Sequence, residues 1–251
     1  MAGVKDRVAL VTGAGRGIGR ETAELLACRG ARVMCVARSE DELVDVGLEY
    51  TVADLETVKG CELAVSETLA RLGPIDILVC NHGIGSAHEK VIWEQDIQTW
   101  DETMRINLDG PFHLSRLVVK GMSERGYGRV VYTSSTAARN AEHAGCAYNS
   151  SKSGLLGLMR SVSQDGGAYG VTSNAVLPGW VRTEMAERSA RAEARERDIT
   201  AEEVWRERAA LYPPGRVATP REVAEMIAFL ASEESSGVSG QSITVALGSA
   251  W

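Results

Sequence analysis

Thr12-Gly13-Ala14-Gly15-Arg16-Gly17-Ile18-Gly19 follows the apolar run Val8-Ala9-Leu10-Val11 and leads into a helix-like stretch over 18–29. A glycine-rich turn between a strand and a helix serves a physical need. Gly13, Gly17 and Gly19 permit a tight turn and let the backbone approach a pyrophosphate. The helix start then directs free N–H groups and a partial positive charge at the phosphates. A lone glycine motif says little. This one has the strand before it and the helix after it, with Arg16 and Ile18 inside the turn, so it reads as a dinucleotide cradle.

The rest of the chain keeps the same rhythm. Strand-like runs at 32–36, 75–79, 129–133, 171–177 and 241–246 alternate with helix-like stretches at 56–72, 100–122, 148–169 and 220–231. Gly30, Gly73-Pro74, Gly126 and Pro178-Gly179 punctuate them. The alternation predicts an α/β fold of Rossmann type over 1–251: a single domain with a doubly wound, mainly parallel sheet and helices on both faces. One stretch breaks the rhythm. Residues 183–219 are rich in charge and alanine and end in Tyr212-Pro213-Pro214-Gly215, which reads as a helical insertion or lid.

A second feature carries chemistry. Tyr148 and Lys152 are four residues apart and share a helix face, with Ser135 just beyond the strand at 129–133. A free phenol has a pKa of about 10, too high for easy proton exchange near neutrality. A neighbouring ammonium and the helix N-terminus both favour the phenolate. Ser135 lies at the carboxyl end of a strand, where α/β sheets bind ligands, and its hydroxyl suits a substrate carbonyl oxygen. A Tyr-x-x-x-Lys pair alone is common by chance. The glycine turn upstream turns it into the proton-transfer group of a hydride-transferring enzyme.

The adenosine end can be read from the second strand. Where an acid would bind the ribose hydroxyls of NAD stands Ala37, followed by Arg38, with Arg16 nearby in the turn. Two guanidiniums and no acid favour a 2′-phosphate, so NADP(H) is expected as cofactor. NAD(H) stays open, because Glu40, Asp41 and Glu42 follow closely and Asp41 fits a crude spacing count for a ribose acid.

Composition excludes other classes. Across 251 residues, 44% are hydrophobic and 24% charged, which suits a globular domain. The net charge of -7 argues against a nucleic-acid partner, and no run approaches a membrane span. Five cysteines, Cys28, Cys35, Cys61, Cys80 and Cys146, lack metal-type spacing and read as core or near-core thiols of a cytoplasmic protein. No metal site is expected.

Together these residues resemble the short-chain dehydrogenase/reductase family over nearly the whole chain. The resemblance implies a catalytic tetrad of Asn107, Ser135, Tyr148 and Lys152, with Tyr148 and Lys152 also touching the cofactor. It implies cofactor contacts at Gly13, Arg16, Gly17, Ile18, Gly19 and Arg38, at Asp54 (adenine), and at Asn81 and Gly83. Pro178, Gly179, Val181 and Thr183 would flank the nicotinamide. Asp54 serves equally well as a cap before Glu56. Gly110 and Pro111 after Asn107 predict a local distortion of that helix, and the resemblance implies a water there linking Lys152 to solvent.

Three departures stand out. His82 replaces the family's second asparagine and reads as a packing or hydrogen-bonding substitute. Only fifteen residues separate Arg38 from Asp54, so the helix between them should be very short. The C-terminal segment from Val245 to Trp251 lacks the family's usual acid before its glycines. The substrate is expected to be a small carbonyl or alcohol compound, held by 139–146, 84–91 and 185–214. Glu142 and His143 would face it, and Trp180, Met185, Trp205 and Tyr212 read either as apolar walls or as core. Arg188, Arg191, Arg195 and Arg197 read as a solvated face. The insertion looks like those of polyketide ketoreductases, 3-oxoacyl reductases and 3-hydroxybutyrate dehydrogenases. The family also implies a homotetramer or homodimer built on the 100–122 and 148–169 helices. An NADPH-dependent carbonyl reductase is the leading reading. An NAD-linked alcohol or 3-hydroxyacid dehydrogenase and a non-catalytic NADP(H)-binding regulator are its rivals.

Overall fold

The computed structural model describes residues 3–86 and 90–249. Part of the expected 84–91 pocket wall, the first two residues and the last two lie outside them. Seven parallel strands form one sheet in the order β3-β2-β1-β4-β5-β6-β7. They are β1 (Val8–Thr12), β2 (Arg32–Ala37), β3 (Glu49–Val52), β4 (Ile77–Cys80), β5 (Gly128–Thr133), β6 (Val171–Pro178) and β7 (Ser242–Val245). The helices are α1 (Gly17–Cys28), α2 (Glu40–Val44), α3 (Val58–Arg71), α4 (Ile97–Met104), α5 (Gly110–Glu124), α6 (Cys146–Gly167), α7 (Glu184–Glu196), α8 (Ala201–Ala210) and α9 (Pro220–Leu230). The strand order reverses between β1 and β4, and that switch point opens the crevice where such sheets bind ligands.

The central strands are buried on both faces, which is why they read as unbroken apolar runs. Alternate residues feed two cores. Leu10, Leu78, Val130 and Tyr132 pack under the face that carries α3, α5 and α6. Ala9, Val11, Ile77, Val79 and Val131 pack under α1 and α9. Each fully buried leucine or isoleucine contributes about 1.5–3 kcal/mol. Among the described residues no helix is long and apolar enough to cross a membrane.

The structure corrects several expectations. The single helix read over 100–122 begins at Ile97, after Asp96 caps Thr99 N–H, and it is broken by a π turn over Arg105–Asp109. Pro111 has no N–H to give the Asn107 carbonyl, and the Gly110 N–H instead reaches Arg105 O, five residues back. The expected distortion is this turn. The helix read over 56–72 starts later, at Val58, with Thr57 as its cap. Strand β3 has no counterpart among the expected strands, and the short helix between Arg38 and Asp54 is α2, five residues long. Cys35, Cys61 and Cys80 are buried, but Cys28 is exposed and Cys146 half-buried. Burial pushes the Cys35 thiol up to about 12 and that of Cys61 up to about 11, so these two are inert packing groups.

Candidate active site

The expected site residues gather at the carboxyl edge of the sheet. Gly13 follows β1, Arg38 follows β2, Asn81 and Gly83 follow β4, Ser135 follows β5, and Gly179 follows β6. Helix capping marks the same edge. The helices α3, α4, α7, α8 and α9 all have a Thr or Asp side chain on a first-turn N–H. Helix α1 has no side-chain cap and no acid in its first turn, and α6 likewise has neither. The start of α1 keeps N–H groups for something outside the chain.

The glycine turn is tightly built. Gly13 and Gly17 have φ values of +62° and +56°, a region that suits glycine. A Cβ on Gly19 would stand 2.1 Å from the Gly13 carbonyl oxygen. Asn81 Nδ2 donates to Thr12 O and Gly13 O at 3.2 and 3.3 Å, so the end of β4 holds the turn in shape. The uncapped helix start and this glycine path fit a dinucleotide pyrophosphate. Arg38 is exposed beside the turn. Arg16, expected on a 2′-phosphate, is instead paired with Glu42 at 2.7 Å and Glu184 at 3.0 Å. Glu42, not Asp41, is the acid of α2 that reaches the turn. Asp54 Oδ1 accepts from Glu56 N–H at 3.2 Å in a local turn, but the cap of α3 is Thr57 and not Asp54.

His82 is tied to the end of β1. Its Nδ1 lies 2.7 Å from Thr12 Oγ1. Among the described residues its buried Nε2 has no partner of good hydrogen-bond geometry, and it faces Gly110, where a Cβ would stand 2.7 Å away. Burial first, then the Lys152 and Arg38 charges, hold the imidazole down at about 3, so it is neutral near pH 7. Its observed role is packing and a hydrogen bond to Thr12.

The four residues expected to form a tetrad come from three segments: the π turn, the end of β5 and α6. Asn107, fully buried in the π turn, accepts from Ile84 N–H at 2.8 Å. Its Nδ2 donates to Ile84 O at 3.0 Å and to Ser151 Oγ at 3.1 Å. It therefore clamps the β4 loop to α6, one residue from Lys152. Gly83 is threaded between, and a Cβ there would meet Asn107 Oδ1 at 3.0 Å and Lys152 Nζ at 3.3 Å. Lys152 Nζ donates to Thr133 O at 3.1 Å and lies 5.7 Å from the Tyr148 ring centroid. Burial pushes its ammonium down to about 8. Ser134 Oγ donates to Lys152 O, pinning α6 to the end of β5. Ser135 Oγ accepts from Ala137 N–H at 3.1 Å, which leaves its own proton to donate. Tyr148 is half-buried on the same helix face as Lys152.

The insertion packs on the segment that follows β6. Trp205 and Tyr212 are 4% and 2% exposed, so they are core and not pocket walls. Arg208 lies 3.6 Å over the Trp180 ring. The Trp180 N–H donates to Tyr212 Oη at 2.6 Å, so the end of the insertion fixes the Pro178-Gly179-Trp180 segment. Thr183 caps α7 and touches Gly17, and Val181 is buried. Arg188 and Arg197 pair with exposed glutamates, the solvated face expected of them. Met185 is 43% exposed. Glu142 and His143 line an open groove with Val91 and Trp93 beside the site. Sequence reading missed Ser134, Ser151, Glu42, Glu184 and the Tyr212 contact. Only Ser134, adjacent to Ser135, carried a local signal.

Comparison with known proteins fixes the class. Residues 13–250 match a family model described as enoyl-(acyl carrier protein) reductase. The 3-oxoacyl-(acyl-carrier-protein) reductase of Vibrio cholerae is 33% identical, covering 96% of each chain. The acetoacetyl-CoA reductase of Rhizobium meliloti is 32% identical, covering 95% of this chain and 96% of that one. Among solved structures, a variant of the actinorhodin polyketide ketoreductase with NADPH superposes with a TM-score of 0.90 at 34% identity, covering 96% of both chains. Levodione reductase reaches 0.92 at 31% identity, covering 97% of both. The chain belongs to the short-chain dehydrogenase/reductase family. It is an oxidoreductase acting on CH–OH and C=O groups with a nicotinamide cofactor.

Proposed function

We propose that this protein is an NADPH-dependent ketone reductase in which Tyr148 is the general acid. The observation that carries the reading is the convergence of Tyr148, buried Lys152, Ser135 and Asn107 beside the uncapped start of α1. A bound nicotinamide supplies the hydride. Ser135 donates to the substrate oxygen and orients it. Tyr148 donates a proton to the same oxygen as charge develops there. Lys152, a cation held beside the phenol, stabilises the phenolate that remains. Asn107 keeps α6 and the β4 loop in register, so that the phenol and ammonium stay paired. Arg16 and Arg38 are the 2′-phosphate ligands. Pro178, Gly179, Val181 and Thr183 hold the nicotinamide end.

The chain is one domain, and 183–219 is its substrate loop. The actinorhodin and 3-oxoacyl relatives point to a β-keto thioester or polyketide ketone. Assembly as a dimer or tetramer through α4–α5 and α6 suits the exposed Ile97 and Phe112. A rival reading as an NAD-linked dehydrogenase draws support from Glu42 at the glycine turn.

The test is oxidation of NADPH and, separately, NADH by β-keto thioesters, cyclic ketones and an enoyl thioester, run beside Tyr148→Phe. Ketone turnover with NADPH that collapses in the variant supports the reading. Turnover with NADH alone, with the enoyl substrate alone, or undiminished in the variant overturns it.

A further inference from the structure

Arg16 stands at a junction of three segments. It precedes α1 in the glycine turn, and its Nη1 donates to Glu42 Oε1 of α2 at 2.7 Å and to Glu184 Oε2 of α7 at 3.0 Å. Glu42 lies across the turn itself. A Cβ on Gly15 would stand 2.8 Å from Glu42 Cβ and 2.9 Å from its Oε2. Next to Glu184, Thr183 packs on Gly17, with its methyl 3.3 Å from where a Cβ would be. Glu184 also pairs with Arg188, which holds its carboxyl below the usual range. Arg38, the other guanidinium at this end, has no ion pair among the described residues and is exposed.

We infer that Glu42 and Glu184 set the cofactor preference of this enzyme, acting as internal anions on Arg16 that a ribose 2′-phosphate must displace. The inference rests on the reading of Arg16 as a 2′-phosphate ligand. A phosphate monoester brings a charge of about -1.5 to -2 to a guanidinium that already serves two carboxylates. Both carboxylates sit on Nη1, so a phosphate that takes the Nη1–Nη2 edge bidentately must share it with them. Two carboxylates at this distance also repel the incoming charge directly. The pairs are weak enough to yield. The side chains of Arg16, Glu42 and Glu184 are 44%, 32% and 48% exposed, and exposed pairs hold little free energy. The carboxylates therefore lower 2′-phosphate affinity without abolishing it. Displacing Glu184 also frees the first turn of α7 from the glycine turn, which links cofactor binding to the substrate loop.

The test is calorimetric titration of the whole protein with adenosine 2′,5′-bisphosphate and with 5′-AMP. Variants are Glu42→Gln, Glu184→Gln and Arg16→Ala, with Glu233→Gln as a control for net charge at the opposite edge of the sheet. Each of the first two should tighten bisphosphate binding roughly three- to fivefold and move 5′-AMP far less. Arg16→Ala should weaken bisphosphate binding, and Glu233→Gln should leave it unchanged. Amide exchange in the first turn of α7 should speed up when the bisphosphate is added to the native chain. If Arg16→Ala weakens binding but neither glutamine variant tightens it, the inference falls and the NADPH reading stands. If Arg16→Ala has no effect, both fall. Tightening by Glu233→Gln to the same extent would reduce the effect to net charge and also end the inference.

Discussion

Strand β5 has a buried cation at each end, and the two are treated differently. At the amino end, Arg129 is 4% exposed, and it donates to the carbonyls of Ser232, Gly128 and Gly170 at 3.0, 2.9 and 3.3 Å. Its guanidinium also lies 4.4 Å over the Tyr127 ring, with Arg7 stacked at 3.6 Å. At the carboxyl end, Lys152 is 5% exposed, and its ammonium donates to Thr133 O. An ammonium has three donors. Burial is equal, and satisfaction is not. The arginine makes three carbonyl bonds through Nε and Nη1 and holds the base of the sheet together. The lysine is left with donor capacity facing a phenol. A buried charge without its full set of partners is costly, and proteins keep such groups where chemistry uses them.

The largest effect expected from this contrast is on turnover. Tyr148→Phe and Lys152→Met should each lower the steady-state rate by about 10²–10⁴-fold. Thermal melts should show native or higher stability, because Lys152→Met also removes the cost of burying a charge. A melt that collapses in Lys152→Met would make the two cations alike and break the comparison.

Arg129→Met should do the reverse. Leaving the Ser232 and Gly170 carbonyls unpaired should cost roughly 3–5 kcal/mol in urea unfolding. The rate per folded molecule should stay within a few-fold of native.

A smaller, pH-dependent effect separates them further. The Lys152 ammonium is pushed from 10.5 down to about 8 by burial. Between these values the unfolded chain binds more protons than the folded one, so stability rises with pH. The penalty is fully present below about 8 and is relieved toward 10.5, a span worth roughly 3 kcal/mol. The stability gap between Lys152→Met and the native chain should therefore shrink as pH climbs through that window. Reductase activity that depends on the cation should fall over the same range. A gap that does not change with pH would remove the lysine from this role.

The smallest effect concerns Tyr127. Its ring is stacked by two guanidiniums, but its buried hydroxyl has no partner among the described residues. Tyr127→Phe keeps the ring and should shift unfolding by no more than about 0.5 kcal/mol. A large loss would show that the hydroxyl, and not the stack, matters at this end.

The contrast between the two ends also explains what is legible in the sequence. Tyr148, Lys152 and Ser135 are legible because helix and strand-end geometry turns short spacings into shared faces. The glycine turn is legible because its glycines are demanded by local backbone. Contacts between distant segments are not. Arg16 looks free for a phosphate, and its partner Glu184 is 168 residues away. Trp205 and Tyr212 read as wall or core until the Trp180 contact settles them. Strand β3, Glu-Tyr-Thr-Val at the sheet edge, is four residues long with one buried side chain, too little pattern to register. The bonding of Arg129 depends on the carbonyls of Ser232, Gly128 and Gly170, which no periodicity records.

The π turn at Arg105–Asp109 has a consequence for how this chain tolerates change. It is a helix carrying one residue more than its regular winding needs. Deleting Ile106 would let α4 and α5 join in phase, a cheaper backbone by any local measure. The same deletion would remove the bulge that carries the Asn107 amide to Ile84 and Ser151. The shorter chain should lose the packing of buried Ile106 and, beyond that, turn over poorly. Here an extra residue is a phase error that the site depends on.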